Sequence, residues 1–399
     1  MSGVRYLIDA QGSPFLIQGD SAWSLIAELT DLQVDQYLDD RQAKGFITLL
    51  VNLIEHEFST NAPSNVYGDA PFLTVGDFST PNNTYFDHAV SVVQKAATRD
   101  MLVLLTPAYL GYVGGSQGWY QDMSANGTTK LRAYGQYVAG KFAGLSNIIW
   151  VHGGDYTPPN LSLPNAVAEG ILDMLPNSVH TYHGSPEDSA RTSAGAYSWL
   201  AVNNVYTYDA DVSFKVRTEY DSSQLPLFLI ETNYENEHGS TGQSLRASAY
   251  RALLAGAKGQ LFGNCPMWAF SAPSVSSFCS GSSWQGALNS IGAVSMSRLW
   301  SLFSTRSWWL LEPDDNLVNN GRAARATDGS WALAYVTSSV TVQMSRLVAG
   351  GSSVSVSWFN PYSGTYTPVG NYPTSGTQTF SRPTSDNGNG SDWVLVLEH

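Results

Sequence analysis

Eight times between residue 15 and about residue 300, a short apolar run is followed by a loop or a stretch with helical spacing. That alternation constrains the fold more than any other feature. Parallel strands need long crossovers and are buried on both faces, so they read as nearly unbroken apolar runs. The predicted strands are Phe15–Gly19, Phe46–Ile54, Met101–Tyr109, Asn147–His152, Val179–His183, Asn204–Tyr208, Leu227–Glu231 and Gln260–Phe270. Thr30 with Gln33 three residues on reads as a capping box opening the first helix, whose Val34, Tyr37 and Leu38 share a face. Helical spacing recurs in Phe86–Ala97, Leu131–Phe142, Ala166–Leu175, Ser244–Ala255 and Leu288–Leu302, and is faint around strands five and six. The pattern predicts an α/β chain with a (β/α)8 TIM barrel. A doubly wound open sheet fits less well, since no glycine-rich phosphate loop follows the first strand.

After Ser304 the texture turns wholly β. Ala323–Thr327 and Trp331–Val336 flank Asp328-Gly329, a two-residue hairpin signal. Val340–Met344, Val354–Phe359, Thr377–Phe380 and Trp393–Leu397 supply further strands. The expected organisation is a catalytic barrel over residues 1–303 and a small antiparallel β-sandwich over 304–399. No low-complexity linker separates the two, which predicts a fixed interface. Trp308 and Trp309 are read as packing between them. Leu397-Glu398-His399 resembles a tag remnant, so Glu398 and His399 receive no functional role.

A formal net charge of −13 argues against nucleic acid and anionic membranes as partners. No apolar stretch approaches the roughly 18 residues of a transmembrane span, and the N-terminus lacks the apolar core of a signal peptide. Cys265 and Cys279 are close enough in sequence to close a short loop, and Asn-x-Ser/Thr sites occur at Asn82, Asn126, Asn160 and Asn389. Both features lean toward a disulfide and a secreted origin, against the alternative of two buried free thiols.

In a barrel enzyme the reacting groups stand where strands end. Here those exits carry Asp20 and Trp23, Asn52, Glu55 and His56, Tyr109, His152 and Asp155, His183, Tyr208, Glu231 and Trp268. Carboxylates, amides, imidazoles and aromatic rings are the vocabulary of sugar recognition. Asp155 and Glu231 each end a buried run abruptly, on strands four and seven, which face each other across a barrel mouth. Cleaving a glycosidic bond needs one carboxyl to protonate the leaving oxygen and another to attack or activate water. Asp155 is the expected acid/base, protonated at the start, and Glu231 the expected nucleophile. A single acid at a strand end is as often structural as catalytic; two on opposing strands make coincidence harder. Asp20 and Glu55 compete for the role and are read as hydroxyl ligands or as groups that tune the pair. No metal and no cofactor is expected: strand one has no His-x-His, and His180 and His183, three apart in a strand, point to opposite faces. His152 and His183 are read as hydrogen-bonding residues. Among the aromatic rings, Trp23 and Trp268 are preferred for stacking on sugar, with Trp119 open to either role. A serine nucleophile is not expected.

The runs Phe15–Leu25, Leu50–His56, Pro107–Gly111 and, most specifically, Ile149–Tyr156 with its His-Gly-Gly-Asp resemble glycoside hydrolase family 140, the apiosidases. The resemblance spans most of residues 4–300, and the C-terminal region is similar to a companion collagen-binding-type β domain. It implies a retaining, exo-acting enzyme that releases terminal apiose from plant glycosides or pectin side chains. Asp155 falls on the family's acid/base and Glu231 on its nucleophile. Asp rather than Glu on strand four departs from most retaining barrel glycosidases but agrees with this family. Two alternatives are another exo-furanosidase, such as an arabinofuranosidase, and a non-catalytic carbohydrate- or matrix-binding protein. Loops at Glu57–Asp77 and Thr157–Pro164 would favour exo action if they enclosed a pocket.

Overall fold

The computed structural model describes residues 4–277, 279, 283–383 and 387–399; Met1, Ser2 and Gly3 of the N-terminal stretch lie outside the described residues. Eight parallel strands form the barrel: β1 (Ile17–Ser21), β2 (Thr48–Asn52), β3 (Leu102–Thr106), β4 (Ile148–Gly153), β5 (Val179–His183), β6 (Asn203–Tyr206), β7 (Leu227–Glu231) and β8 (Gly259–Phe262). Their order in the sheet is β5-β4-β3-β2-β1-β8-β7-β6. The remaining seam, between β5 and β6, is bridged just before β6 begins, where His180 pairs in parallel with Leu200. Side chains complete it: Asn204 donates to Thr181 Oγ1 at 2.8 Å and to the Tyr182 carbonyl at 2.9 Å. An amide here supplies the hydrogen bonds that strand pairing elsewhere provides.

The outer helices are α1 (Asp31–Ala43), α2 (Asn83–Ala97), α3 (Tyr120–Phe142), α4 (Ser162–Met174), α5 (Ala190–Ala194), α6 (Ser213–Ser222), α7 (Gly242–Leu254) and α8 (Ile291–Phe303). The expected Thr30–Gln33 box caps α1. The faint helical signal around β6 has a physical cause: α5 is only 5 residues long, and α6 buries little beyond Val216 and Glu219. Alternation along the strands sorts the core. Leu49, Val51, Val103, Leu105 and Trp150 pack outward against helices, while Leu50, Leu104, Ile149 and Val151 fill the barrel interior.

The C-terminal region is an uneven version of the expected sandwich. Six strands form one antiparallel sheet: β9 (Leu311–Pro313), β10 (Arg322–Ala326), β11 (Trp331–Val336), β13 (Ser353–Phe359), β14 (Tyr366–Pro373) and β16 (Trp393–Glu398). A two-stranded ribbon, β12 (Val340–Val342) with β15 (Gln378–Phe380), lies beside it. Trp331, Leu333 and Tyr335 of β11 face α7 and α8 of the barrel, and Ala332, Ala334 and Val336 face the ribbon side. This two-sided burial is why β11 reads as solidly apolar. A wholly buried ion pair, Arg246 of α7 to Asp392 at 2.7 Å, fastens the two regions, and the Tyr335 hydroxyl donates to the same carboxylate at 3.0 Å. Trp308 lies in that shared core with Trp309 against it. Glu398 pairs with Arg306, a structural contact.

Candidate active site

At the C-terminal ends of the strands lies a cavity of about 530 Å³, with Asp155 and Glu231 in its wall. An oxygen of each carboxylate and a ring nitrogen of His183 all lie within 4.8 Å of one another. Each acid reaches this place by a backbone irregularity. Gly153, Gly154 and Asp155 have φ values of +92°, +111° and +53° in succession. A side chain at Gly153 would meet the His183 carbonyl at 2.2 Å, and one at Gly154 would meet the Tyr109 ring at 2.2 Å. The glycines therefore let the chain turn sharply beneath Asp155, which itself holds a conformation unfavourable to a residue with a Cβ. On β7, pairing with β6 slips: Val205 faces Leu229, and Tyr206 faces Glu231. Phe228 and Ile230 already point inward, so strict alternation would send Glu231 out toward the helices. The extra residue in the ladder turns it into the cavity.

Hydrogen bonds distinguish the two acids. Glu231 Oε2 lies 2.7 Å from His183 Nε2, and Tyr234 also bonds the carboxylate. Asp155 Oδ2 accepts from the Tyr109 hydroxyl at 2.5 Å, while its buried Oδ1 has no hydrogen-bond partner. Burial, and next the charge of Asp155, push the Glu231 carboxyl up to about 7, against the pull of His183 and Tyr234. For His183, burial opposes a charge, but the bond to Glu231 and the charges of both acids tip it upward. Bond geometry points the other way. The Asp155 backbone N–H donates to His183 Nδ1 at 3.1 Å, and a ring nitrogen that accepts carries no proton. The ring is therefore neutral, with its proton on Nε2 aimed at Glu231.

Aromatic side chains floor the cavity. The Trp23 indole donates to the Tyr234 hydroxyl at 2.9 Å and stands edge-on to the His183 ring, 5.7 Å between centroids. Trp268 packs edge-on against Phe58 at 5.1 Å and donates to Glu237 Oε1 at 3.2 Å. Of the residues expected to contact substrate, Trp23, Asn52, Tyr109, Tyr208 and Trp268 line the cavity, and His183 lies beneath it against Glu231. The structure does not bring Asp20, Glu55, His56 or His152 there. Asp20 shares the outward face of β1 with Leu16 and Gln18 and is held, fully buried, by Arg41 at 2.6 Å and Tyr37 at 2.7 Å. Glu55 is buried beneath the following loop, accepting from Ser24 Oγ and from the backbone of His56 and Phe58. His56 sits edge-on to Trp119 and pairs with Asp122 at 3.5 Å; Trp119 belongs to the core. His152 alternates outward with Trp150 and bonds His180 at 2.8 Å, and burial lowers both imidazoles, His180 to about 4.

Sequence reading missed Tyr206, Tyr234 and Glu237, which also line the cavity. The last two lie in the loop after β7, where no periodicity marks direction, though Tyr and Glu just beyond a catalytic-looking strand exit were a usable signal. Strand β8 is shorter than expected, so Trp268 stands in a turn at Met267–Ala269 rather than on a strand. The Thr157–Pro164 loop contributes nothing to the cavity, and the Glu57–Asp77 loop contributes Phe58. Cys265 and Cys279 form a disulfide in the loop after β8, with Cα atoms 5.2 Å apart.

The model of the family described as "Apiosidase-like, catalytic domain" matches residues 1–310. A second, described as "Putative collagen-binding domain of a collagenase", matches residues 312–398. Among solved structures, one titled glycoside hydrolase is similar over 100% of this chain and 96% of its own, with a TM-score of 0.87 and 21% identity. A glycoside hydrolase family 5 structure from Bacteroides vulgatus has the same TM-score and identity, covering 100% of this chain and 91% of its own. A further structure from that organism, of a "putative glycoside hydrolase", has a TM-score of 0.72 at 13% identity, covering 100% of this chain and 83% of its own. No curated protein sequence matches the chain.

Proposed function

Because the chain belongs to the apiosidase-like family of glycoside hydrolases, we propose that it is an exo-acting, retaining enzyme that releases terminal apiose from plant glycosides or pectin side chains. The observation that carries this reading is the close approach of Asp155 and Glu231 across the cavity wall, oxygen to oxygen within 4.8 Å. Retaining glycosidases place their carboxyls ~5–5.5 Å apart, whereas inverting ones leave ~6.5–9.5 Å for a water.

Two acids this close do not both ionise readily, so the pair holds one proton below the upper ionisation near 7. Hydrogen bonds allot that proton. Glu231 receives donors from His183 and Tyr234, Asp155 from Tyr109 alone. Glu231 is then the ionised member, and the proton sits on Asp155 Oδ1, the atom without a partner. In the first step Glu231 attacks the anomeric carbon, the glycosidic bond breaks, and the leaving oxygen takes the Asp155 proton. In the second, Asp155 removes a proton from water, which attacks the same carbon and frees Glu231. The cavity suits one or two sugar rings more than a threaded polymer. On this reading residues 1–303 form the catalytic barrel and 304–399 a β domain that buttresses it, and the disulfide fits a secreted setting.

The test is apiose release from an apiosylated flavone glycoside by the wild type, Glu231→Gln and Asp155→Asn. The expected result is release by the wild type and a loss of about 10⁴-fold or more in both variants. Cleavage of an aryl arabinofuranoside alone would overturn the sugar assignment. Variants that keep the wild-type rate would overturn the carboxylate assignment.

A further inference from the structure

We propose that His183 is a positioning residue that holds both members of the catalytic pair in register, its Nδ1 fixing the Asp155 backbone and its Nε2–H fixing the Glu231 carboxylate. The inference rests on the roles given above to Asp155 and Glu231.

His183 ends β5, between the two acids, and is wholly buried. Its main-chain carbonyl accepts from the Gly154 N–H at 2.8 Å, and its Nδ1 accepts from the Asp155 N–H at 3.1 Å. One residue thus clamps two successive amides of the turn in which three residues adopt positive φ. Such a turn persists only where its surroundings over-determine it. The other ring nitrogen meets Glu231 Oε2 at 2.7 Å. Trp23, edge-on at 5.7 Å, and Tyr206, tilted at 4.9 Å, confine the ring's rotation. Because Nδ1 is taken by an amide donor, only the Nε2–H tautomer satisfies both bonds, and a ring flip would break both. The charged or ionisable groups facing the ring are Asp155 and Glu231, with the Tyr206 phenol beside it. The imidazole is therefore no proton carrier. It stabilises the charge on Glu231 and sets the aim of the Asp155 carboxyl.

Two amide substitutions separate these duties. His183→Asn places a carbonyl oxygen where Nδ1 was and removes the donor to Glu231. His183→Gln places an N–H where Nε2–H was and removes the acceptor for the Asp155 amide. A para-nitrophenyl apioside needs little acid assistance to leave, whereas an apiosyl glucoside needs much. His183→Asn should lose about 10²-fold in kcat on both substrates, and the basic limb of its pH profile should move up as Glu231 loses a donor. His183→Gln should lose about 10²-fold on the glucoside and little on the para-nitrophenyl substrate. In the wild type, ¹⁵N spectra of His183 should show the neutral Nε2–H tautomer from pH 5 to 8, a readout that stands even where a variant does not fold. An imidazolium in that range, or equal losses for both variants on both substrates, would overturn the proposal. Asp155→Asn is run beside them: if it shows no dependence on the leaving group, the acid/base reading fails, while the tautomer result still judges His183.

Discussion

The mouth of the barrel and the seam between barrel and β domain bury acidic groups in opposite ways. At the seam, Asp392 is fully buried and receives two bonds from Arg246, at 2.7 and 2.8 Å, besides those from Tyr335 and Asn387. Tyr250 of α7 stacks on Tyr335 with rings 9° from parallel and 5.2 Å apart. At the mouth, Asp155 and Glu231 repel one another, no cation neutralises them among the described residues, and one carboxylate oxygen has no partner. The Arg246–Asp392 pair is neutralised within the fold; the mouth leaves charge unbalanced where a substrate can exploit it. Stability and reactivity are thus assigned to different regions, and substitutions should separate them.

The largest effect belongs to the mouth. Glu231→Gln and Asp155→Asn should abolish turnover while leaving thermal stability unchanged or improved, since each leaves one ionisable carboxyl fewer in a buried, strained pair. A Tm lowered by many degrees in both would break the contrast. The seam comes next. Asp392→Asn leaves the Arg246 charge buried without its counter-ion and should destabilise the fold by about 3–5 kcal/mol, read by denaturant unfolding. The kcat per folded molecule should hold. A collapse of kcat at full stability would mean the β domain reaches into the chemistry.

Acid and base sharpen the comparison with smaller effects. The proton shared by the Asp155–Glu231 pair leaves near 7, above the 4.5 of an ordinary glutamate, so the pair's contribution to stability is full at low pH and is lost as pH rises through 7. Glu231→Gln should flatten that slope. kcat/KM should fall about tenfold per pH unit above 7, where the shared proton leaves. On the acid side His180, lowered from 6.5 to about 4, contributes stability that is present above 6.5 and lost as pH falls toward 4. His180→Gln, followed by Tm between pH 4 and 7, should blunt that loss; an unchanged profile would contradict the assignment.

The barrel was legible because parallel strands must be apolar on both faces and their crossovers must be helical. Val179–His183 and Leu227–Glu231 have the boundaries expected from sequence. Direction was harder to read. Asp20 ends a strand as plausibly as Asp155 does, yet alternation carries it to the helix side, where Arg41 waits. Glu231 reaches the cavity through a slip in pairing that no apolar pattern records. Strand β14 escaped because it is an exposed edge carrying Pro368 and Pro373, so burial imposes no alternation on it.

The central claim, that Asp155 and Glu231 form a retaining pair with Glu231 as nucleophile, is tested most directly by trapping the glycosyl-enzyme. A 2-fluoro furanoside with an activated leaving group should form the intermediate quickly and release it slowly. Peptide mass spectrometry should then find one sugar, esterified to Glu231. A label on Asp155, or turnover with no covalent species and inverted product, would contradict the account.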